Sequence, residues 1–485
     1  MPAGTDFRSQ VGLPGETRPG TRAGVSIVAF LCFAVAIPLI LRATSEAPYT
    51  DTDFLIRYST LLYSAFRVSV ILWKDPVRPV AGVFWMFVYI CLGVVPLAQL
   101  STGASTILAI TVDDATLHTT TAVTLLGCLS FDLAYHLRIF QNMGRPAPVR
   151  TLRSMDTLRI FSAIAVVGGL AYVAQVGGIG VFFASRQEAG QALDQLSPDS
   201  GQAVRAIVSA FGSVTCLVAL IFYFHALRKL RSSLNLLDTV LIAALVVVNV
   251  IVNNPISNSR YWSLAVIFGL LMPLIASRKT FFNFALIGGI VAAIFLFPLS
   301  DITRRAAGTG GMLQTNSVWQ MISTKDYDQF SMLANTLGFT RDEGLTWGNQ
   351  FLGALLFWVP RVIWPTKPLD SGVEVGMWMS SANVNLSSPL WAEAWINFGV
   401  GGVAVTFAGL GLLSRRLDSG FGVGALSAGS VGYLGVSIFS GYMFILLRGS
   451  LLQSMGRLMI LALAIVYLSG TVKRKPGAAN DREQA

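Results

Sequence analysis

Long apolar runs separated by short polar connections constrain this chain more than any other feature, because crossing a bilayer core takes about 20 apolar residues. Along 485 residues, such runs recur near 24–42, 54–73, 80–100, 118–138, 160–182, 206–226, 237–252, 261–277, 281–300, 396–414, 421–443 and 451–469. Backbone groups find no water there, so helices, which satisfy them internally, are the expected form. Only 12% of the residues are charged and 53% are hydrophobic, against about 25% charged in soluble domains. The expected class is all-α: a polytopic integral membrane protein with about 12 transmembrane helices and a large outer loop bearing short or re-entrant helices.

The formal net charge of +10 does not form the continuous basic stripe that nucleic acid would require. It falls instead in short clusters between the apolar runs. With the N-terminus inside, Lys74 and Arg78, the group from Arg138 to Arg159, Arg228 to Arg231, Arg278 and Lys279, Arg415 and Arg416, and Lys473 to Lys475 all become cytoplasmic. Glu46, Asp51, Asp53, Asp113, Asp114, Glu188, Asp194 and Asp199 fall on the other side, as the positive-inside rule expects. No cleavage site follows the polar N-terminal stretch, so the first run reads as a retained span. The expected organisation is a cytoplasmic tail at 1–23, nine helices over 24–300, an extracytoplasmic loop at 301–395, three helices over 396–470 and a cytoplasmic tail at 471–485. Both termini are expected in the cytoplasm.

A loop of that length is usually functional. Within it, FLGALLFWVPRVIW (351–364) is too short to cross and reads as a re-entrant or interfacial element. The stretch 319–338 places Ile322, Phe330, Leu333 and Leu337 near helical spacing, which suits a helix lying on the membrane face.

The outer side also carries Arg260, Arg304, Arg305, Arg341, Arg361, Lys367 and Arg448, against the topology rule. A charge at bilayer level is costly unless it is paired, solvated or facing a cavity, so each is a candidate site residue. Guanidinium forks match phosphate oxygens, and several around one cavity would hold a diphosphate. The plainer reading of each is snorkelling to headgroups or pairing with an acid. Glu393, just before the tenth run, is the leading candidate base, with Asp328 in reserve. Tyr327, Trp358, Trp364 and Trp391 either stack on sugar faces or form part of the interfacial aromatic belt. Cys32, Cys91, Cys128 and Cys216 lie within apolar runs, and the three histidines are scattered, so no metal site and no cofactor is expected. GxxxxGK[ST] does not occur, which argues against ATP hydrolysis by this chain.

YDQF (327–330), PRVIWPTKP (360–368) and SSPLWAEAWINFGVGG (387–402) resemble, in order and spacing, the O-antigen polymerase-like family of oligosaccharide repeat-unit polymerases. The resemblance covers mainly residues 300–460; before that only hydropathy and the number of runs agree. It implies a bacterial membrane glycosyltransferase, independent of metal, that joins polyprenyl-diphosphate-linked glycans on the outer face of the cytoplasmic membrane. Its implied partners are the lipid-linked oligosaccharide, membrane lipids and a chain-length regulator or other envelope-assembly proteins, with no nucleic acid. By the same resemblance Arg361 and Lys367 occupy the PR and KP positions, Glu393 and Asn397 the acid and amide before the glycines, Arg448 the arginine before the last span, and Asp328 the YDQF element. Pro389, Leu390 and Trp391 replace the small-residue turn usual in that family. A ligase that moves finished glycan to another acceptor shares the same plan, and a transporter or flippase for the lipid-linked glycan would use the same arginines along a path.

Overall fold

The computed structural model of the protein is all-helical. It describes residues 19–74, 76–104, 107–137, 150–183, 202–230, 235–276, 278–296, 318–323, 327–382, 384, 386–426 and 431–470. In chain order come α1 (Arg22–Ala43), α2 (Asp51–Trp73), α3 (Pro79–Thr102), α4 (Asp114–His136), α5 (Met155–Gln175), α6 (Gln202–Leu230), α7 (Leu236–Val252), α8 (Arg260–Ile275) and α9 (Lys279–Leu296). The segment expected on the outer side supplies α10 (Gln329–Glu343), α11 (Asn349–Leu355) and α12 (Ser371–Trp378). The chain then closes with α13 (Leu390–Leu426), α14 (Val431–Arg448) and α15 (Leu451–Leu468). Among the described residues, nine helices are long and apolar enough to cross a membrane. Helices α7 and α8 are apolar but shorter, and α4 has the length but carries Asp114, Asp132 and a run of threonines.

Local chemistry sets the helix starts. At α2, the Thr50 hydroxyl accepts from Asp53 N at 3.1 Å, while the Asp53 carboxylate accepts from Thr50 N at 3.3 Å. This reciprocal box satisfies two of the amides that every helix start leaves open. Asp113, Ser154, Ser259 and Ser450 cap α4, α5, α8 and α15 through single side-chain acceptors.

The centre of the bundle is aromatic. Phe84 of α3 stacks on Phe131 of α4 at 3.7 Å between centroids, and Trp391 of α13 meets Phe407 at 4.1 Å. Such pairs contribute about 0.5–1.5 kcal/mol each beyond the area they bury. Trp391 is fully buried, and its indole N–H donates to Thr124 O at 3.1 Å. Helices α4 and α13 approach closely because Gly127 leaves room for that indole, and a β-carbon at Gly127 would overlap it. At the opposite end, Val431 N donates to Arg150 O at 2.8 Å and Arg153 N to Leu468 O at 3.0 Å, which ties the lead into α5 to α14 and α15.

The outer segment differs from its expected form in one respect. Residues 329–338 of α10 are buried on every side, between α4, α12 and α13, instead of lying on the membrane face. Small and amide side chains make this possible: Asn335 accepts from Ala109 N at 3.0 Å, and Thr336 donates to Met332 O at 2.7 Å. The apolar tip expected at 351–364 is the short α11 followed by turns, with Val362 and Ile363 among the most exposed large side chains.

Gly127→Val is expected to lower the apparent melting temperature of detergent-purified protein by several degrees, since overpacking costs about 1–3 kcal/mol. Gly409→Val on the same α13, where a β-carbon meets nothing within 4 Å, is the control and should melt with the wild type.

Candidate functional site

Helix α13 is two helices that fold back on each other at a sharp turn, with Trp391 of the first packed on Phe407 of the second. Phe398 (φ −145°, ψ 18°) and Gly399 (φ 58°, ψ −139°) leave helical geometry, and the latter conformation belongs essentially to glycine. The break frees backbone groups that must be satisfied elsewhere. Ile396 O accepts from Thr346 N at 2.8 Å and from Thr346 Oγ1 at 3.0 Å. Asn397 Oδ1 accepts from Phe351 N at 3.1 Å, and its amide donates back to Glu393 O at 2.7 Å. The outer segment thus closes the break, and Glu393 stands on the short first piece of the helix.

Around it lie three buried carboxylates. Glu393, 2% exposed, accepts from Ser371 Oγ at 2.9 Å and Leu451 N at 3.2 Å. Asp370 caps α12, accepting from Gly372 N at 2.9 Å, and its other oxygen accepts from Ser450 Oγ. Asp328, at the start of α10, accepts from Ser387 Oγ at 2.6 Å and Gln329 Nε2 at 3.3 Å. Arg448 Nη2 faces Asp328 Oδ1 at 3.8 Å, an ionic contact too long for a hydrogen bond. Four stretches distant in sequence, 328–329, 370–372, 387–393 and 448–451, therefore meet in one polar cluster.

Burial pushes the Asp328 carboxyl above the ordinary carboxylate range, against the opposing pull of Arg448 and the Ser387 hydroxyl. Burial likewise raises Asp370, while Ser450 and the Gly372 amide pull it back. Glu374 is raised by burial too, even though Gln350 Nε2 donates to it at 2.6 Å. Carboxyls shifted in this way, in a cluster with a guanidinium, are suited to taking up or giving a proton.

Two guanidiniums flank the start of α8. Arg448 stacks over Tyr261 at 4.3 Å from the ring centroid and Arg457 over Trp262 at 4.4 Å. Such contacts contribute about 0.5–2 kcal/mol. The Trp262 indole donates to Asn253 Oδ1 at 2.8 Å, and Asn253 donates to Asn249 Oδ1 at 2.8 Å, so the platform is anchored through α7. Arg457 was not among the residues that the sequence pattern singled out. Its signal was available, for it interrupts the apolar run of the last helix, where a charge marks a site by default.

Other candidates are not brought to this cluster. Arg361 Nη1 and Nη2 donate to Lys367 O (2.6 Å) and Pro368 O (3.0 Å), and Lys367 Nζ donates to Phe357 O (2.7 Å) and Val359 O (3.0 Å). The PRVIWPTKP motif is thus a turn closed by its own cations, and burial, with the Arg361 charge, pushes the Lys367 amine down. Trp364 donates within the same turn to Thr366 Oγ1 at 3.2 Å. Arg341 is exposed, donating to Thr111 O at 3.1 Å and facing Asp342 at 3.7 Å. Tyr327 is buried with its hydroxyl on Ala293 O, Trp391 belongs to the aromatic core, and Asn397 serves the helix break. Arg304 and Arg305 lie outside the described residues, as does the side chain of Arg260, whose backbone opens α8. Among the described residues, no group of three His, Cys, Asp or Glu is arranged to hold a metal.

The raised Asp370 carboxyl has a definite sign in pH linkage. A group that holds its proton more tightly in the native state stabilises the fold fully below the unfolded value of 3.8, and that contribution is lost as pH rises through the higher native value. Asp370→Asn removes the titration. The melting temperature of wild type minus that of Asp370→Asn should therefore increase as pH is lowered from 8 to 5, and parallel curves would contradict the assignment.

Comparison of the chain with protein-family models, with curated proteins and with solved structures finds no match in any of the three.

Proposed function

We propose that the protein is an integral-membrane glycan polymerase, a polyprenyl-diphosphate-dependent glycosyltransferase acting on repeat units at the outer face of the cytoplasmic membrane. The observation that carries this reading is the meeting of Asp328, the 387–393 stretch and Arg448 in one buried cluster. Those are some of the positions on which the resemblance to O-antigen polymerase-like proteins rests, the third motif, 360–368, forming a separate turn. In this reading all twelve apolar helices cross the membrane, both termini are cytoplasmic, and the lipid tail lies between helices with only its headgroup and sugars in the site.

Glycosyl transfer forms a bond from an acceptor hydroxyl oxygen to the anomeric carbon and breaks the bond from that carbon to the diphosphate. The electron pair leaves on a phosphate oxygen. Arg448, with Arg457 deeper along the same aromatic platform, is placed to stabilise that charge where water is scarce. Glu393 takes the acceptor proton, with Asp328 as the other carboxylate in the cluster. Arg361 and Lys367 shape the neighbouring turn that leads into Asp370 and Ser371, a supporting role at one remove from the reacting atoms.

A transport reading draws on the break in α13, because discontinuous helices line the binding sites of many transporters. Reconstitution separates the readings. With a native lipid-linked repeat unit and no added nucleotide or metal, wild type should give a ladder of lengthening glycans. Arg448→Ala and Glu393→Gln should lower its rate by about 100-fold or more while the protein remains in the membrane. A single transfer to a foreign acceptor would mark a ligase, labelled lipid crossing the bilayer without lengthening would mark a transporter, and variants as active as wild type would remove these residues from the chemistry.

A further inference from the structure

The end of the bundle opposite the carboxylate cluster holds a polar cavity of about 370 Å³, lined by Arg78, Tyr135, His136, Arg415 and Asp418. It opens where α3 begins, α4 ends and α13 passes. Its one lining carboxylate is already committed: Asp418 Oδ1 accepts from Val80 N at 2.9 Å, and Oδ2 accepts from Ala81 N at 3.1 Å and Tyr135 OH at 2.9 Å. Asp418 therefore fills the start of α3 itself and makes no ion pair among the described residues.

The basic groups are less committed. Arg415 spends Nη1 on Tyr135 O at 2.7 Å. The Arg78 side chain lies over the Tyr135 ring at 5.7 Å, close enough to Asp418 to act on it electrostatically, and makes no hydrogen bond or ion pair of its own among the described residues. Beside them, Asp132 is taken by Arg67 at 2.7 Å, Tyr63 at 2.9 Å and the lining His136 at 3.2 Å, and makes no ion pair with Arg78 or Arg415 among the described residues. A space of this volume, within the range of small-ligand sites, with two guanidiniums on its wall fits a single phosphate group with its substituents. Lys74 and Arg416, close in sequence to the lining Pro76 and Arg415, are exposed, and basic pockets between helices at a cytoplasmic interface suit anionic headgroups.

We infer that this cavity binds the phosphate of an anionic phospholipid headgroup, through Arg78 and Arg415, at the face of the membrane opposite the transferase site. The inference does not depend on the polymerase reading, since it uses none of that site's residues.

Protein purified in a neutral detergent is titrated with short-chain phosphatidylglycerol, phosphatidylcholine of the same chain length, or inorganic phosphate, while its melting temperature is followed. Phosphatidylglycerol should raise the melting temperature saturably and phosphatidylcholine should not. Arg78→Gln, compared with its own lipid-free baseline because it loses the contact with the Tyr135 ring, should need at least tenfold more phosphatidylglycerol for half-saturation. Arg415→Gln, compared with its own lipid-free baseline because it also releases Tyr135 O, should show the same weakening. An equal rise with inorganic phosphate would keep the phosphate chemistry and overturn the lipid as its source. No saturable rise with either, or the same response in wild type and Arg78→Gln, would overturn the proposal.

Discussion

A carboxylate taken out of water survives only where fixed donors replace its hydration, and Glu393, Asp370 and Asp328 meet that demand with groups from distant parts of the chain. Ser371, Ser387, Ser450 and the amide of Leu451 are brought in by α12, by the connection before α13 and by the start of α15. The outer segment is consequently docked onto the last helices, and much of its geometry follows. The same docking supplies Thr346 and the Phe351 amide to the break at Phe398 and Gly399. Without those partners, the freed carbonyl of Ile396, a fully buried residue, would be stranded in the protein interior. The two features support each other: the break positions Glu393, and the segment that satisfies the break also covers the carboxylates.

Legibility in the sequence followed the range of the physical signal. Apolar periodicity is local, so every run of the hydropathy pattern has a helix, nine of the described helices being long and apolar enough to cross a membrane. Asp328, Glu393 and Arg448 were recognisable because charge and motif position coincide at each. Their gathering into one cluster through Ser371, Ser387 and Leu451 is not, because which serines face which carboxylate depends on how α10 and α12 pack. The buried α10 differs from the surface helix that its pattern predicts for a related reason: Asn335 and Thr336 look solvent-facing in a linear pattern, yet their hydrogen bonds are made inside. Arg361 and Lys367 stood out as unmatched cations, whereas local backbone carbonyls, invisible to composition, occupy both. Arg457 illustrates the opposite error, a lone charge in an apolar run passed over beside the more conspicuous Arg448.

Charge is divided between the two ends of the bundle, and the aromatic centre keeps them apart. Phe84, Phe131, Trp391 and Phe407 fill the space between α3, α4 and α13 without a polar atom other than the indole N–H, which Thr124 O accepts. Above this layer lie Glu393 and its neighbours; below it Asp418 binds the start of α3, with Arg78 and Arg415 beside it. Helix α13 carries both acids, one on its short first piece and one near its far end. A rigid packed layer between them lets each end have its own electrostatics, since close-packed cores shift between discrete arrangements and do not deform continuously.

In the proposed reading the guanidiniums stacked on Tyr261 and Trp262 hold the diphosphate of a lipid-linked glycan, and the carboxylates face its sugar and the acceptor. The most direct measurement of that arrangement is an electron cryo-microscopy map of the protein in nanodiscs with a short-chain polyprenyl-diphosphate glycan bound. The account predicts phosphate density within hydrogen-bonding reach of Arg448 and sugar density leading toward Glu393. Phosphate seated instead on the Arg361 and Lys367 turn, or headgroup density remote from Arg448, would contradict it.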